Sequence, residues 1–232
     1  MQAVIVAGGL GTRLGPLTAR TPKSLIEVHG RPFLAWQVEL LRRAGVTDVL
    51  MCVGHLADAM RDAVGDGRAF DLRVRYSDEA DRRLGTAGAL KWADSLVSDA
   101  FFVLFGDSYL LLDYRAIMEH FLARDQPALM VVYKNSDRRG ASDVSVAGDL
   151  VTAYASPPLP GMTYINMGLS ILRREALAGL QRGRPASLQE LYAPLIARRQ
   201  LLAWETSQRF YEIGSPAGLE EFRRLVAVGV DR

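Results

Sequence analysis

The chain has 232 residues, 49% of them hydrophobic, 23% charged and 8% aromatic, the balance of a globular domain long enough to bury its own core and not of a disordered or fibrous chain. A net charge of +2 is too small to argue for a nucleic-acid partner, and no run of about 18 apolar residues is present to span a membrane. The single cysteine, Cys52, cannot close an internal disulfide, and Met1 leads directly into a strand-like segment with no signal peptide, so a cytoplasmic setting is expected.

Residues Ala3–Val6 are continuously apolar and stop at Ala7-Gly8-Gly9, the pattern of a buried parallel strand ending in a loop. Apolar spacing at Leu34, Val38, Leu41 and Ala44 predicts a helix over Phe33–Ala44, closed by Gly45. A β-rich run, Asp48–Val53, leads to Gly54. Ala57–Val64 is expected as a helix, Leu72–Tyr76 as a short strand, Ala87–Leu96 as a helix, and Phe101–Phe105 as a buried strand ending at Gly106-Asp107. Leu129–Tyr133 adds a strand. Between Asp143 and Leu172 the pattern shifts to shorter strands around the turn Ser156-Pro157-Pro158-Leu159-Pro160. Helices over Arg173–Leu180 and Leu188–Arg198, a strand over Leu201–Glu205 and a helix over Pro216–Val228 complete the chain. This alternation implies an α/β fold with right-handed crossovers, a largely parallel sheet and helices on both faces. No repeat, linker or composition break divides it, so one domain is expected. The apolar stripes of Tyr114–Phe121 and Leu219–Val226 are candidates for a homo-oligomer interface, although such stripes more often face a core.

Ligands of an open parallel sheet sit beyond the carboxyl ends of its strands, which directs attention to Gly8–Arg13, Gly54-His55, Gly106–Ser108 and the loop before Asn166. Gly8-Gly9-Leu10-Gly11-Thr12-Arg13 follows the first strand, and its glycines let backbone N–H groups approach an anion. A Walker A loop would need Gly-Lys-Ser/Thr, which is absent. A dinucleotide fingerprint would need a glycine where Leu14 stands and an acidic residue where the second strand ends in Val53-Gly54. What remains is a glycine loop with its own cation, Arg13, and a second, Lys23, after Thr21-Pro22. Lys23 is one of only three lysines, with Lys91 and Lys134. Two cations and a row of amides suit a polyphosphate, Arg as a planar fork and Lys as a mobile point charge.

The segment Gly8–Leu14, followed by Leu17-Thr18 and Pro22-Lys23, resembles the N-terminal motif of the sugar-1-phosphate nucleotidyltransferases. The resemblance continues, in order, through Leu84-Gly85-Thr86-Ala87-Gly88-Ala89, Phe105-Gly106-Asp107, Asn166-Met167-Gly168 and Phe210–Pro216, and covers nearly the whole chain. The short bacterial members, such as heptose-1-phosphate guanylyltransferases and muramate-1-phosphate uridylyltransferases, are the most similar in extent. The resemblance implies a three-layer α/β/α Rossmann-like nucleotidyltransferase fold with a mixed, mostly parallel central sheet. A nucleotide-binding half would cover residues 1–125 and a sugar-phosphate-binding half residues 126–232.

The implied reaction joins a nucleoside triphosphate to a sugar 1-phosphate and releases pyrophosphate. Its nucleophile is a phosphomonoester, whose second proton is lost at about pH 6, so no general base is needed. Repulsion between two anions is the obstacle, and catalysis falls to positioning and charge neutralisation. By resemblance Arg13 and Lys23 act on the triphosphate. Ala7, Gly8, Gly9, Gly11, Thr12, Gly85 and Thr86 bind the nucleotide, and Asn166 contacts the sugar. Asp107 and Glu212 hold Mg²⁺, a hard cation suited to oxygen ligands. Two departures stand out. Glu212 replaces the usual Asp, and Tyr154-Ala155-Ser156-Pro157 lacks the lysine that grips the sugar phosphate in the family. Lys134, or Arg138 or Arg139, is expected to supply that cation. A non-sugar phosphate acceptor, or a non-catalytic nucleotide-sugar-binding regulator, are the alternatives.

Overall fold

In the computed structural model the alternation becomes thirteen strands and six α-helices among the described residues, which are 1–9, 12–18, 21–137 and 140–229; of Thr12 and Arg13 only the backbone is described. The strands are β1 (Gln2–Val6), β2 (Glu27–Val28), β3 (Arg31–Pro32), β4 (Asp48–Val53), β5 (Arg73–Asp78), β6 (Ala100–Phe105), β7 (Ser108–Leu110), β8 (Ala128–Lys134), β9 (Val144–Ala147), β10 (Leu150–Tyr154), β11 (Tyr164–Arg173), β12 (Leu201–Thr206) and β13 (Phe210–Glu212). The helices are α1 (Phe33–Arg43), α2 (Ala57–Val64), α3 (Gly85–Trp92), α4 (Tyr114–Leu122), α5 (Leu188–Ala197) and α6 (Pro216–Ala227).

Nine strands form one sheet in the order β5-β4-β1-β6-β11-β8-β12-β10-β9. The neighbours from β5 to β6 are parallel, as is β8 with β12, whereas β11 runs antiparallel to both β6 and β8. The sheet is therefore mixed, with its parallel half at the glycine-loop end. Side chains alternate between its faces. Ala3 and Ile5 of β1 pack with Leu34, Val38 and Leu41 of α1, Met60 of α2 and Ile117 and Phe121 of α4. Val4 packs on the opposite face with Leu90 of α3 and Leu191, Tyr192 and Leu195 of α5. Burial on both faces explains why these strands read as continuous apolar runs. A smaller cluster of Phe33, Tyr109, Ile213, Leu219 and Phe222 seats α6 against the β7–β13 ribbon.

Helix ends follow local chemistry. Asp113 caps α4 by accepting from the Ala116 N–H at 3.0 Å, and Ser187 and Glu190 form a reciprocal capping box at α5. Ser215 caps α6, with Pro216 in its first turn.

The apolar residues Tyr114, Ile117, Met118 and Phe121 on α4 and Leu219 and Phe222 on α6 are buried in the chain's own core, while Leu225 and Val226 of the second stripe are half-buried against it. One expectation is corrected. The helix expected over Arg173–Leu180 is a single 3₁₀ turn at Arg174–Leu177, because the ladder to β6 keeps β11 extended as far as Arg173.

Candidate active site

The carboxyl ends of β1, β4, β5 and β6 open on the same side of the sheet, and backbone bonds knit the loops that follow them. The Ala7 N–H donates to the Cys52 carbonyl at 2.9 Å, the Gly106 N–H to that of Val6 at 3.0 Å, and the Glu79 N–H to that of Val53 at 3.0 Å. Gly106 is required by closeness: a Cβ there would lie 2.7 Å from Ser24 Oγ and 3.1 Å from Ala7 Cβ. Behind this junction Gln37, fully buried on α1, donates through Nε2 to the carbonyls of Phe105 at 2.8 Å and Ser108 at 2.7 Å. The residues carrying Asp107 are thus bracketed from the core.

Lys23 enters from a one-turn 3₁₀ helix, Lys23–Leu25, and its Nζ lies 2.5 Å from Asp107 Oδ2. With Ala7, Gly9, Thr86 and Gly106 the pair lines a cavity of about 170 Å³. A second cavity, of about 300 Å³, adjoins it through Val6, Gly9 and Thr86, and is bounded by Gly8, His55, Glu79, Arg83 and Gly85. A third, of about 580 Å³, is lined by Arg83, Gly85, Thr86, Phe105, Tyr154, Ser156 and the 185–190 segment. Thr86 belongs to all three. It stands in the first turn of α3, whose start is shaped by Gly85 at φ +68°. A Cβ on Gly85 would lie 2.8 Å from the Ala186 carbonyl oxygen, which accepts the N–H groups of Ala87 and Gly88 at 3.0 and 3.1 Å.

Glu79 is the buried charge of the second cavity. Its Oε2 accepts the Leu84 N–H at 3.3 Å, and burial holds its carboxyl above the ordinary carboxylate range. Burial, aided by Glu79, pushes the Cys52 thiol up to about 12, so this cysteine is not a nucleophile.

The expected residues do not all meet at one place. Ala7, Gly8, Gly9, Lys23, Gly85, Thr86 and Asp107 are brought together around the first two cavities. Asn166 is not among the residues that line the three cavities: its N–H donates to Asp143 Oδ1 at 2.8 Å and its Oδ1 accepts the Gly168 N–H at 3.0 Å. Gly11, Arg138, Arg139 and the side chains of Thr12 and Arg13 lie outside the described residues.

Lys134 is a correction. It is 60% exposed, its Nζ lies 3.6 Å from Glu205 Oε1, and it lines none of the three cavities. It ends β8 opposite Tyr164 of β11, whose hydroxyl donates to the same Glu205 at 2.7 Å. Glu212 is placed beside Asp107 by the backbone, since it pairs with Ser108 and the Ile213 N–H donates to the Asp107 carbonyl at 2.9 Å. Its carboxylate, however, accepts the Gly214 N–H at 2.5 Å and the Ser215 hydroxyl at 3.0 Å, and lines a separate hollow against α6. Among the described residues no three His, Cys, Asp or Glu side chains cluster as a metal site.

Glu79, Arg83 and Gln37 are additions to the sequence reading. Glu79 was legible in principle: β5 continues to Asp78 and not Tyr76, which makes Glu79 the residue just past a parallel strand. Gln37 sits on the apolar face of a helix and carries no local signal of its partners.

A family model described as nucleotidyl transferase matches residues 2–182. The chain is 28% identical to the N-acetylmuramate alpha-1-phosphate uridylyltransferase of Neisseria meningitidis, over 97% of this chain and 98% of that protein. It is 31% identical to the mannose-1-phosphate guanyltransferase of Emericella nidulans, over 93% of this chain but only 61% of that longer protein. Its structure is similar to that of HddC from Yersinia pseudotuberculosis complexed with GMP-PN, with a TM-score of 0.83 and 27% identity over 96% of this chain and 98% of the other. The match over most of the chain, with the glycine loop, Lys23 and Asp107 gathered at the carboxyl ends of the parallel strands, establishes that the chain belongs to the nucleotidyl transferase family.

Proposed function

We propose that this nucleotidyltransferase joins a nucleoside triphosphate to a sugar 1-phosphate, giving a nucleoside diphosphate sugar and pyrophosphate. The observation that carries the reading is the placement of Lys23 and Asp107 in a small cavity flanked by two larger ones, all three meeting at Thr86. The two larger cavities meet at Arg83, Gly85 and Thr86, so two substrates can reach one charged centre. The base and ribose occupy the cavity of Gly8, Glu79 and Gly85. The triphosphate lies along Ala7–Gly9 toward Lys23, with Gly11, Thr12 and Arg13 completing the loop. The sugar lies in the third cavity, before Tyr154 and Asn166.

In the reaction an oxygen of the sugar phosphate forms a bond to the α-phosphorus as the bond to the α–β bridging oxygen breaks, and pyrophosphate leaves with that electron pair. The nucleophile arrives ionised, so the protein need not remove a proton. Lys23 and Arg13 offset the charge that accumulates, and the glycine-loop amides hold the phosphates in line. The donor chemistry fits a Mg²⁺ ion: Asp107 offers hard carboxylate oxygens, and Mg²⁺ is commonly bound by one or two carboxylates together with substrate phosphates. When bound it would supply further charge neutralisation on the triphosphate. No helix among the described residues is long and apolar enough to cross a membrane, and a need for nucleoside triphosphates supports a cytoplasmic setting.

The test is pyrophosphate release with Mg²⁺, screening five nucleoside triphosphates against hexose, heptose and N-acetylmuramate 1-phosphates. Release with one pair, lost in Asp107→Asn, is expected. Nucleotide binding without release for any pair would overturn the sugar-phosphate reading in favour of another acceptor or a regulatory role.

A further inference from the structure

We propose that Arg83 is the cation that receives the phosphate of the acceptor, a specificity determinant for a phosphomonoester dianion in the third cavity. The inference rests on the nucleotidyl-transfer reading above and assigns the acceptor side of the same site.

Four observations converge on this residue. Among the described residues Arg83 is the one lysine or arginine lining the 580 Å³ cavity, whose other charged group, Glu190, is already committed to the Ser187 N–H at 2.7 Å and hydroxyl at 3.0 Å. Arg83 also lines the neighbouring 300 Å³ cavity, so it stands at their junction, three residues before Thr86. Among the described residues it makes no ion pair or hydrogen bond, whereas Lys23 is engaged by Asp107, Lys134 by Glu205, and Arg82 stacks 4.6 Å over Trp92. Finally, its backbone is left-handed, at φ +49°. A non-glycine residue in that region is strained, and such strain persists where it aims a side chain at a site.

The chemistry requires a cation here. A phosphate dianion that must approach an anionic triphosphate needs its own partner, or it is turned away by Coulomb repulsion. A guanidinium suits the task, because its planar fork can take two phosphate oxygens at once. The cavity lies within the roughly 300–1,000 Å³ of small-ligand sites. Its walls at Phe105, Tyr154 and Leu188 are surfaces on which a sugar ring can rest while its phosphate points toward Thr86.

The experiment compares wild type, Arg83→Ala and Arg83→Lys with the substrate pair found in the release screen, varying each substrate while the other is saturating. Arg83→Ala should raise the acceptor KM about 10- to 100-fold, the value of one charge-assisted contact, with the triphosphate KM within about twofold. Arg83→Lys should recover part of the loss. Because the side chain is exposed, thermal melting should move little. An unchanged acceptor KM, or a rise confined to the triphosphate KM, would overturn the assignment while leaving the nucleotidyl-transfer reading intact. Should no pair support release, titration calorimetry with inorganic phosphate, on protein saturated with whichever of GTP and UTP it binds, decides instead. Phosphate binding lost in Arg83→Ala sustains the assignment, and equal binding in both proteins removes it.

Discussion

Lys23 Nζ and Asp107 Oδ2 lie 2.5 Å apart, joining residues 84 positions distant in sequence at the floor of the glycine-loop cavity. Each group orients the other before any substrate arrives, so the site is organised in advance. Lys23→Met should lower kcat/KM by about 100- to 1,000-fold in pyrophosphate release, as loss of a charge-stabilising donor does in other enzymes. Asp107→Asn should do the same and also raise the Mg²⁺ concentration needed for half-maximal rate. If either variant kept near-wild-type turnover, the pair would not be the reacting centre.

Gln37 supplies the support behind that pair. Replacing it by Leu leaves the Phe105 and Ser108 carbonyls without its amide donors, and should cost about 1–3 kcal/mol in urea unfolding. Gln37→Glu should be worse, since a buried carboxylate would face two carbonyl oxygens with no proton to give. In the folded fraction of both, Mg²⁺ activation should shift to higher concentration because the Asp107 segment is no longer held.

Glu212 offers a separation of structural from metal-binding roles. Its carboxylate holds the Gly214 N–H and the Ser215 hydroxyl, and Ser215 in turn caps α6. Glu212→Ala should therefore lower the melting temperature by several degrees, on the order of 1–2 kcal/mol for a lost cap arrangement. A larger effect on the Mg²⁺ requirement than on melting would instead show the carboxylate turning toward Asp107 when nucleotide binds.

Glu79 predicts a pH dependence with a definite sign. Burial raises its folded-state pKa above the unfolded value, so the folded chain binds more protons in the window between the two. Its contribution to stability is present below the unfolded carboxylate pKa and is lost as pH rises through the folded value. Glu79→Gln should melt higher than wild type near pH 8, and the difference should close as pH falls to about 4. A difference that is constant with pH would mean that the carboxyl is not desolvated.

Much of this molecule was written in local sequence. The buried strands announced themselves as apolar runs, α1, α2 and α6 by their spacing, and the glycine loop, Lys23 and Asp107 by motif and by their place just after strands. Those features depend on residues close to one another in the chain, where periodicity, capping and glycine conformations act. The antiparallel insertion of β11 between β6 and β8, the bracketing of Asp107 by Gln37, the turning of Glu212 into its own loop, and the placing of Arg83 and not Lys134 at the cavity beside Tyr154 were decided only by tertiary structure. The physical reason is the same in each case. A side chain's partner is chosen by which strand lies beside which and by which face it leaves open, and that arrangement minimises the energy of the whole core, not of any local segment.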